Sequence, residues 1–516
     1  MNYKHLLLIC VLGASFTACT LDENPRDQIP EEEAYTSEES IYLNTVATLY
    51  SYIGGKDDGQ GLQGTCRGVY DLQTFGSDEA MIPTRGADWY DGGIWQDMYR
   101  HSWTAGHELV EKSWLYLYKV IALCNRSLEQ IDAHKNLLSE EKYVDFCAEV
   151  RAIRAIYYWY LMDLFGRVPL MTSTGVPMNE VQQSERSEVF DFIYNELRDV
   201  FPHLPYERSV RLGDYYGRVT LPVVYFVLAK LMLNAEVYTG KPRWEECIKY
   251  CDLIEKLGYE LEISYETNFQ VNNETSMENI WTIPMDKDLY NNQMQYLFRS
   301  YHYRHAAAYG FTGENGTSAT RNTLLIFGFD TPEEDPRFEL NYWSGAIYDL
   351  NNNLIIDRDG HPLIYDPWMV NMDVSGSPFV ETAGARMKKY AIDKNAVKDG
   401  KLMDNDIVLF RFADVLLMRA EAKMQLGLDG YDDFKAVRER AGAPERPLTQ
   451  ETLLDERLME LCWEGWRRQD LIRFKRYESL YNGPNKVDES DGHTTVFPIP
   501  GNVITLNHNI VQNPGY

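Results

Sequence analysis

The chain has 516 residues, of which 44% are hydrophobic and 25% are charged, a balance typical of a folded globular protein and not of a disordered one. The formal net charge of −28 at pH 7 repels nucleic acid, so nucleic-acid binding is excluded. Aromatic residues reach 13%, with 36 Tyr and 11 Trp. Because these rings combine an apolar face with a polar tip, the composition favours recognition of sugars or peptides.

The N-terminus has the three-part pattern of an export signal. A basic start at Lys4 precedes an apolar run over residues 6–12 and small residues before Cys19. The run is too short to cross a bilayer, which needs roughly 20 apolar residues. The letters FTAC, ending at Cys19, resemble a lipobox with Phe in place of the usual Leu, so we predict a signal peptide over 1–18 and lipid on the cysteine. An ordinary secretory signal is the alternative. Residues 19–40 then form a lipid anchor with an acidic, proline-containing spacer.

Apolar residues recur every three or four positions in several stretches, which predicts helices. The first helix runs from Ser37 to about Gly54, and a helical hairpin follows over 107–164. Two more helices occupy 218–257, separated by a turn at Gly240, and another pair occupies 406–441. The three degenerate pairs approximate tetratricopeptide repeats and indicate a helical-repeat scaffold.

Two stretches break this pattern. Residues 75–106 form a long segment crowded with Gly, Asp and aromatic residues, which we predict to be irregular and functional. Residues 259–405 contain short β-like runs, such as 279–284, and read as a loop-rich excursion from the helical scaffold. Near the end, 454–477 is an amphipathic helix in which Gly465 implies a kink or close packing.

No motif for a metal or a cofactor is complete, so we expect neither. Cys247 and Cys251 lie four residues apart on one helix, but no CxxC or His pair completes a site. The segment 349–360 resembles a calcium loop, yet its sixth position is Leu and its twelfth is Gly, so two strand turns describe it better. The cysteines at positions where helical patterns bury side chains are Cys124, Cys147, Cys247 and Cys462.

Catalysis is not expected either, and no catalytic residue is assigned. Asp78 and Glu79 are adjacent carboxylates, and neighbours on an extended segment point apart instead of flanking one bond. The histidines show neither an HExxH motif nor a Ser-His-Asp arrangement. A glycoside hydrolase remains the catalytic alternative.

Several motifs in fixed order resemble the SusD/RagB family. They are LDENP after Cys19, PTRGADWYDGGIW over 83–95, DPRFE at 335–339, LCWEGWRRQDLIRF over 461–474 and QNPGY at the end. The resemblance implies a mainly α domain over residues 41–516, with tetratricopeptide-like helix pairs and a loop-rich, β-hairpin-containing ligand-binding region. It further implies an outer-membrane lipoprotein that faces the cell exterior. Such a protein is not an enzyme; it binds glycan, or in some branches peptide, and delivers it as a lid to a TonB-dependent transporter.

Two clusters are candidates for the binding site. Sugar rings pack their apolar C–H faces on aromatic planes, while their hydroxyls need carboxylate, amide or Arg partners. The candidates in the loop are Arg85, Asp88, Trp89, Tyr90, Asp91 and Trp95, and those in the excursion are Tyr301, Tyr303 and Trp343. The alternative for Trp89 and Trp95 is that they anchor the loop to the core. Trp281 is expected to be a core residue.

The sequence leaves the ligand open. The negative net charge fits a neutral polysaccharide more easily than a polyanionic one, although local basic residues can override a global field. A peptide ligand, or a purely structural role in assembly with a partner, are the other possibilities.

Overall fold

The computed structural model describes residues 31–55, 60–206, 213–289, 294–397, 400, 402–477 and 492–516. The predicted signal peptide, Cys19 and the spacer up to residue 30 lie outside these residues.

The described residues are mainly helical, which confirms the predicted fold class. The helices are α1 (Glu31–Ala34), α2 (Glu38–Tyr42), α3 (Thr48–Ile53), α4 (Val69–Phe75), α5 (Ile94–Arg100), α6 (Glu108–Ala133), α7 (Glu140–Phe165), α8 (Arg186–Val200), α9 (Leu221–Leu233), α10 (Ala235–Thr239), α11 (Trp244–Lys256), α12 (Gln295–Phe298), α13 (Tyr303–Ala308), α14 (Arg321–Phe327), α15 (Arg337–Asn341), α16 (Phe412–Gln425), α17 (Tyr431–Arg440), α18 (Gln450–Leu461), α19 (Arg467–Arg473) and α20 (Gly501–Leu506). The strands are β1 (Ala80–Met81), β2 (Val168–Pro169), β3 (Gln183–Ser184), β4 (Asn279–Ile283), β5 (Ser318–Ala319), β6 (Tyr342–Trp343), β7 (Gly345–Ala346), β8 (Ile364–Tyr365), β9 (Arg386–Met387) and β10 (Ile407–Arg411).

The first predicted helix is confirmed. Ser37 caps α2 in a reciprocal capping box with Ser40, and a π-helical turn, Leu43–Ala47, joins α2 to α3. The described end of the spacer is folded onto the domain, since the ring of Tyr35 stacks on His134 with ring centroids 4.5 Å apart.

The predicted hairpin consists of α6 and α7, which pack along each other. Helix α7 is capped by Ser139, and every residue from Ala148 to its end at Phe165 except Arg151 is buried, so it forms the centre of the core. Helix α8 packs on α7, α9 on α11, α11 on α16, and α16 on α17 and α18. Gly240, with φ of +73°, ends α10 and forms the predicted turn. The helix-pair scaffold is thus confirmed.

The beginning of the pair predicted over 406–441 is wrong in one respect: residues 407–411 are a strand, not a helix. β10 pairs antiparallel with β4, and all five residues of each strand are buried. A short apolar run that is buried on both faces has no periodicity that separates strand from helix, which explains the error. Trp281 in β4 is a core residue, as expected.

The helix predicted over 454–477 is broken at the position of its glycine. Helix α18 ends at Leu461 and α19 starts at Arg467, and between them Trp463 and Gly465 have φ values of +65° and +75°. A left-handed backbone at these two residues cannot continue an α-helix.

Buried ion pairs join this region to the excursion. Arg411 bonds carboxylate oxygens of Glu278, Glu460 and Glu464 at distances of 2.5–3.0 Å. Arg337 bonds Glu460 as well, at 2.8 Å. All of these side chains are essentially inaccessible to solvent. The network therefore connects β10, α15 and α18 with Glu278, the residue just before β4, and removal of one partner would leave a buried charge unpaired.

The excursion contains the two predicted strand turns. Asp349 N donates to Asn353 O and Asp357 N donates to His361 O, each at 2.8 Å, which closes the NNN and DRDG turns. The backbones of Ile347, Ile355 and Leu363 bond one another in a ring, and their side chains form a small core of their own with Tyr365. This turn unit, residues 345–365, borders the candidate site.

The described cysteines are all unpaired thiols, and most pack as predicted. Cys124, Cys247 and Cys462 are buried, whereas Cys147 is half-buried, so the expectation for that residue is only partly met.

Candidate functional site

The predicted irregular stretch over 75–106 is more ordered than expected, since it contains α5 and the short strand β1. Two consecutive glycines with positive φ, Gly92 and Gly93, immediately precede α5 and hide its start from a pattern-based prediction. The remaining loop, residues 84–93, is held by backbone pairing. Thr84 exchanges hydrogen bonds with Met372 and Val374, at 2.9 and 3.0 Å.

The loop makes a sharp turn from Arg85 to Asp88, and the aromatic residues Trp89 and Tyr90 come directly after it. Arg85 and Asp88 exchange backbone hydrogen bonds of 2.9 and 3.1 Å across the turn. Gly86 supplies the left-handed conformation that the turn requires, with φ of +66°, and its N–H donates to Ser375 Oγ at 3.0 Å. The turn is therefore held by its own backbone hydrogen bonds and by residues 372–375 of the excursion.

Trp89 lies half-buried against the excursion, in a left-handed backbone conformation with φ of +61°. Its Nε1 donates to Glu314 O at 2.8 Å, and its ring lies so close over Gly316 that a Cβ there would come within 2.6 Å of Cε2. The neighbouring Tyr90 is 55% exposed. One ring is thus fixed in orientation while the next projects into solvent.

Trp95 is only 1% exposed, and it supports the loop from beneath. Its Nε1 donates to Asp91 Oδ2 at 2.8 Å, and its ring lies edge-on to Phe75 and Trp89, with centroids 5.6 and 6.1 Å away. Asp91 is exposed and also accepts from Arg67 at 2.9 Å. The buried Trp thereby fixes the position of a surface carboxylate.

The structure brings the two predicted clusters together through Tyr303. Its phenol donates to Asp88 Oδ2 at 2.7 Å, which connects α13 in the excursion to the loop. Partial burial and the bond to this carboxylate raise the pKa of Tyr303 to about 12. The guanidinium of Arg358, from the DRDG turn, lies 5.5 Å from the centroid of the Tyr303 ring.

Trp343 belongs to a second aromatic group beside the turn unit. Its Nε1 donates to the hydroxyl of Tyr301 at 2.8 Å, and the Lys388 ammonium lies 4.6 Å from its ring centroid. The ring of Tyr309 is 6.1 Å away, and its hydroxyl donates to Tyr348 O at 3.2 Å. These contacts join Trp343 to the excursion, whereas Tyr303 is the residue that contacts the loop.

Three of the predicted site residues are buried and have no face to offer a ligand. Tyr301 is 0% exposed, Trp95 1% and Arg85 4%. Composition alone could not show this, because the side chains of neighbouring residues in one loop point to opposite sides. Sequence reasoning also missed Arg358 and Lys388, which reach the aromatic rings from distant positions and carry no motif.

No group of three or more His, Cys, Asp or Glu side chains in the described ranges is arranged to hold a metal ion. In the same ranges, no helix combines the length and the hydropathy needed to span a membrane.

The described residues form a helical-repeat scaffold that carries a cluster of aromatic side chains on its loops. The family model described as "SusD family" matches residues 333–516, and the one described as "Starch-binding associating with outer membrane" matches residues 69–233. The chain belongs to the SusD/RagB family, which confirms the predicted resemblance.

Relatives align along nearly the whole chain. The starch-binding protein SusD of Bacteroides thetaiotaomicron is 25% identical, over 99% of this chain and 98% of its own. SusD-like protein P25 of Formosa agariphila is 26% identical over 92% of this chain and 90% of its own. Among solved structures, surface glycan-binding protein A of Bacteroides thetaiotaomicron in complex with laminarihexaose covers 93% of this chain and 100% of its own, with 19% identity and a TM-score of 0.73.

Proposed function

We propose that the protein binds a glycan on the surface formed by the loop and α13. The observation that carries the proposal is the juxtaposition of an immobilised Trp89, an exposed Tyr90 and the Tyr303–Asp88 pair. Aromatic faces suit the C–H faces of sugar rings, and a surface carboxylate suits their hydroxyls. Tyr303 and Asp88 belong to segments more than 200 residues apart, yet their hydrogen bond already joins them into one surface.

The relatives support this ligand class. The names of two of them specify starch binding and a complex with laminarihexaose. We further propose that this protein delivers its glycan to a TonB-dependent transporter and is held at the outer membrane, facing the exterior, by lipid on Cys19.

The burial of the predicted residues separates contacts from supports. We assign ligand contact to the side chains that reach the surface and support to those that do not. The contacts are Asp88, Trp89, Tyr90, Asp91, Tyr303 and Trp343, and the supports are Arg85, Trp95 and Tyr301.

We propose binding without catalysis. The adjacent carboxylates of the sequence are unavailable, since Asp78 and Glu79 are buried. Asp78 bonds Arg467 at 2.7 and 2.9 Å, and Glu79 accepts from the backbone N–H of Trp463. Neither carboxylate can flank a glycosidic bond while it is held in the core.

Isothermal titration calorimetry over a glycan panel tests the proposal. Wild type should bind at least one glycan, and Trp89→Ala or Tyr90→Ala should weaken that binding by about fivefold or more, given roughly 1–3 kcal/mol per ring. Leu289→Ala removes an exposed apolar side chain elsewhere and should change nothing. Binding to no glycan would overturn the function, whereas binding that both variants retain would overturn the site.

The anchor is tested separately. Cys19→Ala should release the protein from cells into the medium and leave its glycan affinity unchanged, because a lipid chain, not the domain, would hold it. A variant that remained on the cell surface would contradict the anchor.

A further inference from the structure

Two buried arginines beside the candidate site, Arg85 and Arg386, have no carboxylate of the described residues in contact with them. Arg386 is 0% exposed and Arg85 4%, and neither lies within 4.0 Å of a carboxylate oxygen of the described residues. Every other buried Arg or Lys of the described residues lies within that distance of a carboxylate oxygen. Buried charges without a counter-charge are costly and uncommon, so this pair calls for an explanation.

Both guanidinium groups bond only neutral acceptors. They share two of these, Ser318 Oγ and Ala383 O, and so lie next to each other. The Nε atom of each has no hydrogen-bond partner. The remaining acceptors are Val380 O for Arg85 at 2.9 Å, and Asn315 Oδ1 and Glu381 O for Arg386 at 3.0 and 3.1 Å.

The pKa values of both arginines are lowered in this arrangement. Burial lowers the pKa of Arg386 to about 10, and burial together with the neighbouring Arg386 cation holds the pKa of Arg85 well below its usual range. The two guanidinium groups therefore lie side by side beneath the surface, with no carboxylate of the described residues in contact with either.

The carboxylate of Glu381 lies near this pair, since its charge raises the pKa of Arg85 against the effect of burial. Its side chain is 39% exposed, and Oε2 lies 2.9 Å from Nε2 of the buried His302. Its backbone carbonyl is held by Arg386, so the residue belongs to the segment that the two arginines fix. His302 immediately precedes Tyr303, which places Glu381 beside the proposed contact surface.

We propose that the glycan recognised here carries an anionic group, a carboxylate or sulfate on the sugar, which takes the place of the Glu381 carboxylate beside His302. The inference rests on the proposed function. The group would keep a negative charge near Arg85 and Arg386 when the Glu381 side chain leaves, which a neutral glycan cannot do, while the sugar ring stacks on neighbouring aromatic faces. Glu381 occupies this position in the free protein and is replaced on binding.

The other charges near this position permit such a ligand. Arg358 adds a positive charge at the Tyr303 ring, and Asp88 is engaged by the Tyr303 hydroxyl. The net charge of −28 acts at long range only, since the screening length is about 8 Å at physiological ionic strength. The buried pair is screened much less. The net charge of the chain favours a neutral polysaccharide. At this site the local positive charges favour an acidic one instead.

Matched glycans test the inference by calorimetry. One pair is polygalacturonate and its methyl-esterified form, and the other is κ-carrageenan and its desulfated form; the first pair tests a carboxylate and the second a sulfate. The acidic member of at least one pair should bind about tenfold tighter than its neutral counterpart. Its affinity should fall when NaCl rises from about 50 mM to about 500 mM, because salt screens the attraction. Equal or tighter binding of the neutral members overturns the inference and leaves the proposed function intact; failure of every glycan overturns both.

A surface variant tests the position without risk to the fold. Glu381→Gln removes the competing charge but keeps an acceptor for His302, so affinity for the acidic glycan should rise about three- to tenfold while that for a neutral glycan stays unchanged. Glu236→Gln changes the net charge equally at an exposed helix position and should have no effect. An unchanged or weakened affinity of Glu381→Gln for the acidic glycan would contradict the assignment.

Discussion

Tyr303 donates a 2.7 Å hydrogen bond to Asp88 Oδ2, although the two residues lie 215 positions apart in the chain. The bond fixes the tip of the aromatic loop to the first turn of α13. The two clusters of predicted site residues are therefore brought into contact only in the folded chain.

Tyr303→Phe should weaken glycan binding by about fivefold, since a net hydrogen bond of about 1 kcal/mol positions Asp88. The melting temperature should hardly change, because the bond is at the surface. Asp88→Asn and the double variant complete a cycle measured by calorimetry. If the two single effects on the binding free energy simply add, the residues act independently and the coupling is wrong.

Gly316→Ala should impair binding without touching a contact residue. The backbone at Gly316 is accessible to alanine, but the new Cβ would lie 2.6 Å from the ring of Trp89, which must move. We expect at least a threefold loss of affinity, given that stacked rings contribute roughly 1–3 kcal/mol each, together with a shift in tryptophan fluorescence. Gly175→Ala, where a Cβ meets nothing within 4 Å, is the matched control. Equal affinities of both variants would show that the position of Trp89 does not matter.

The scaffold could be predicted because long helices such as α6 repeat their apolar side chains over several turns. Strand β10 could not, because it is buried on both faces, and its partner β4 lies 124 residues or more upstream. For the candidate site, the structure gives only the positions of the predicted residues. The composition of the loop pointed to Trp89 and Tyr90, but nothing local shows that Trp95 turns inwards. The pairing of Arg85 with Arg386 depends on tertiary structure alone.

Trp95→Ala should destabilise the protein, whereas Tyr90→Ala should not. Trp95 is buried against Phe75 and Trp89, and removing such a ring costs about 3–5 kcal/mol of the free energy of unfolding. Tyr90 is exposed, so its loss should stay within about 0.5 kcal/mol while binding weakens. Urea denaturation together with calorimetry separates the two effects. Similar stabilities of both variants would contradict the division into contact and support.

Arg411→Met should destabilise the fold by about 3–5 kcal/mol, since three buried carboxylates, Glu278, Glu460 and Glu464, lose their common cation. Arg304→Met, at an exposed position, provides the control. Urea denaturation measures both. A loss below about 1 kcal/mol would mean that the remaining arginines of the network compensate for the missing charge.

Glu79 makes stability depend on pH in a direction opposite to that of most carboxylates. Its side chain is buried, one carboxylate oxygen has no hydrogen-bond partner, and burial raises the pKa to about 7 from an ordinary 4.5. Below pH 4.5 both folded and unfolded states are protonated at this residue. Between pH 4.5 and 7 the folded state keeps a proton that the unfolded state has lost, so the free energy of unfolding falls as pH rises, and the loss is complete above pH 7.

Glu79→Gln should therefore be more stable than wild type at pH 8, by up to about 3 kcal/mol, and close to it at pH 4.5. The amide oxygen can still accept the hydrogen bond from Trp463 N–H. Urea denaturation at several values between pH 4.5 and pH 8 measures the difference, with Glu141→Gln, an exposed substitution, as the control. A stability difference that stayed constant across this range would show that Glu79 does not keep its proton in the folded protein.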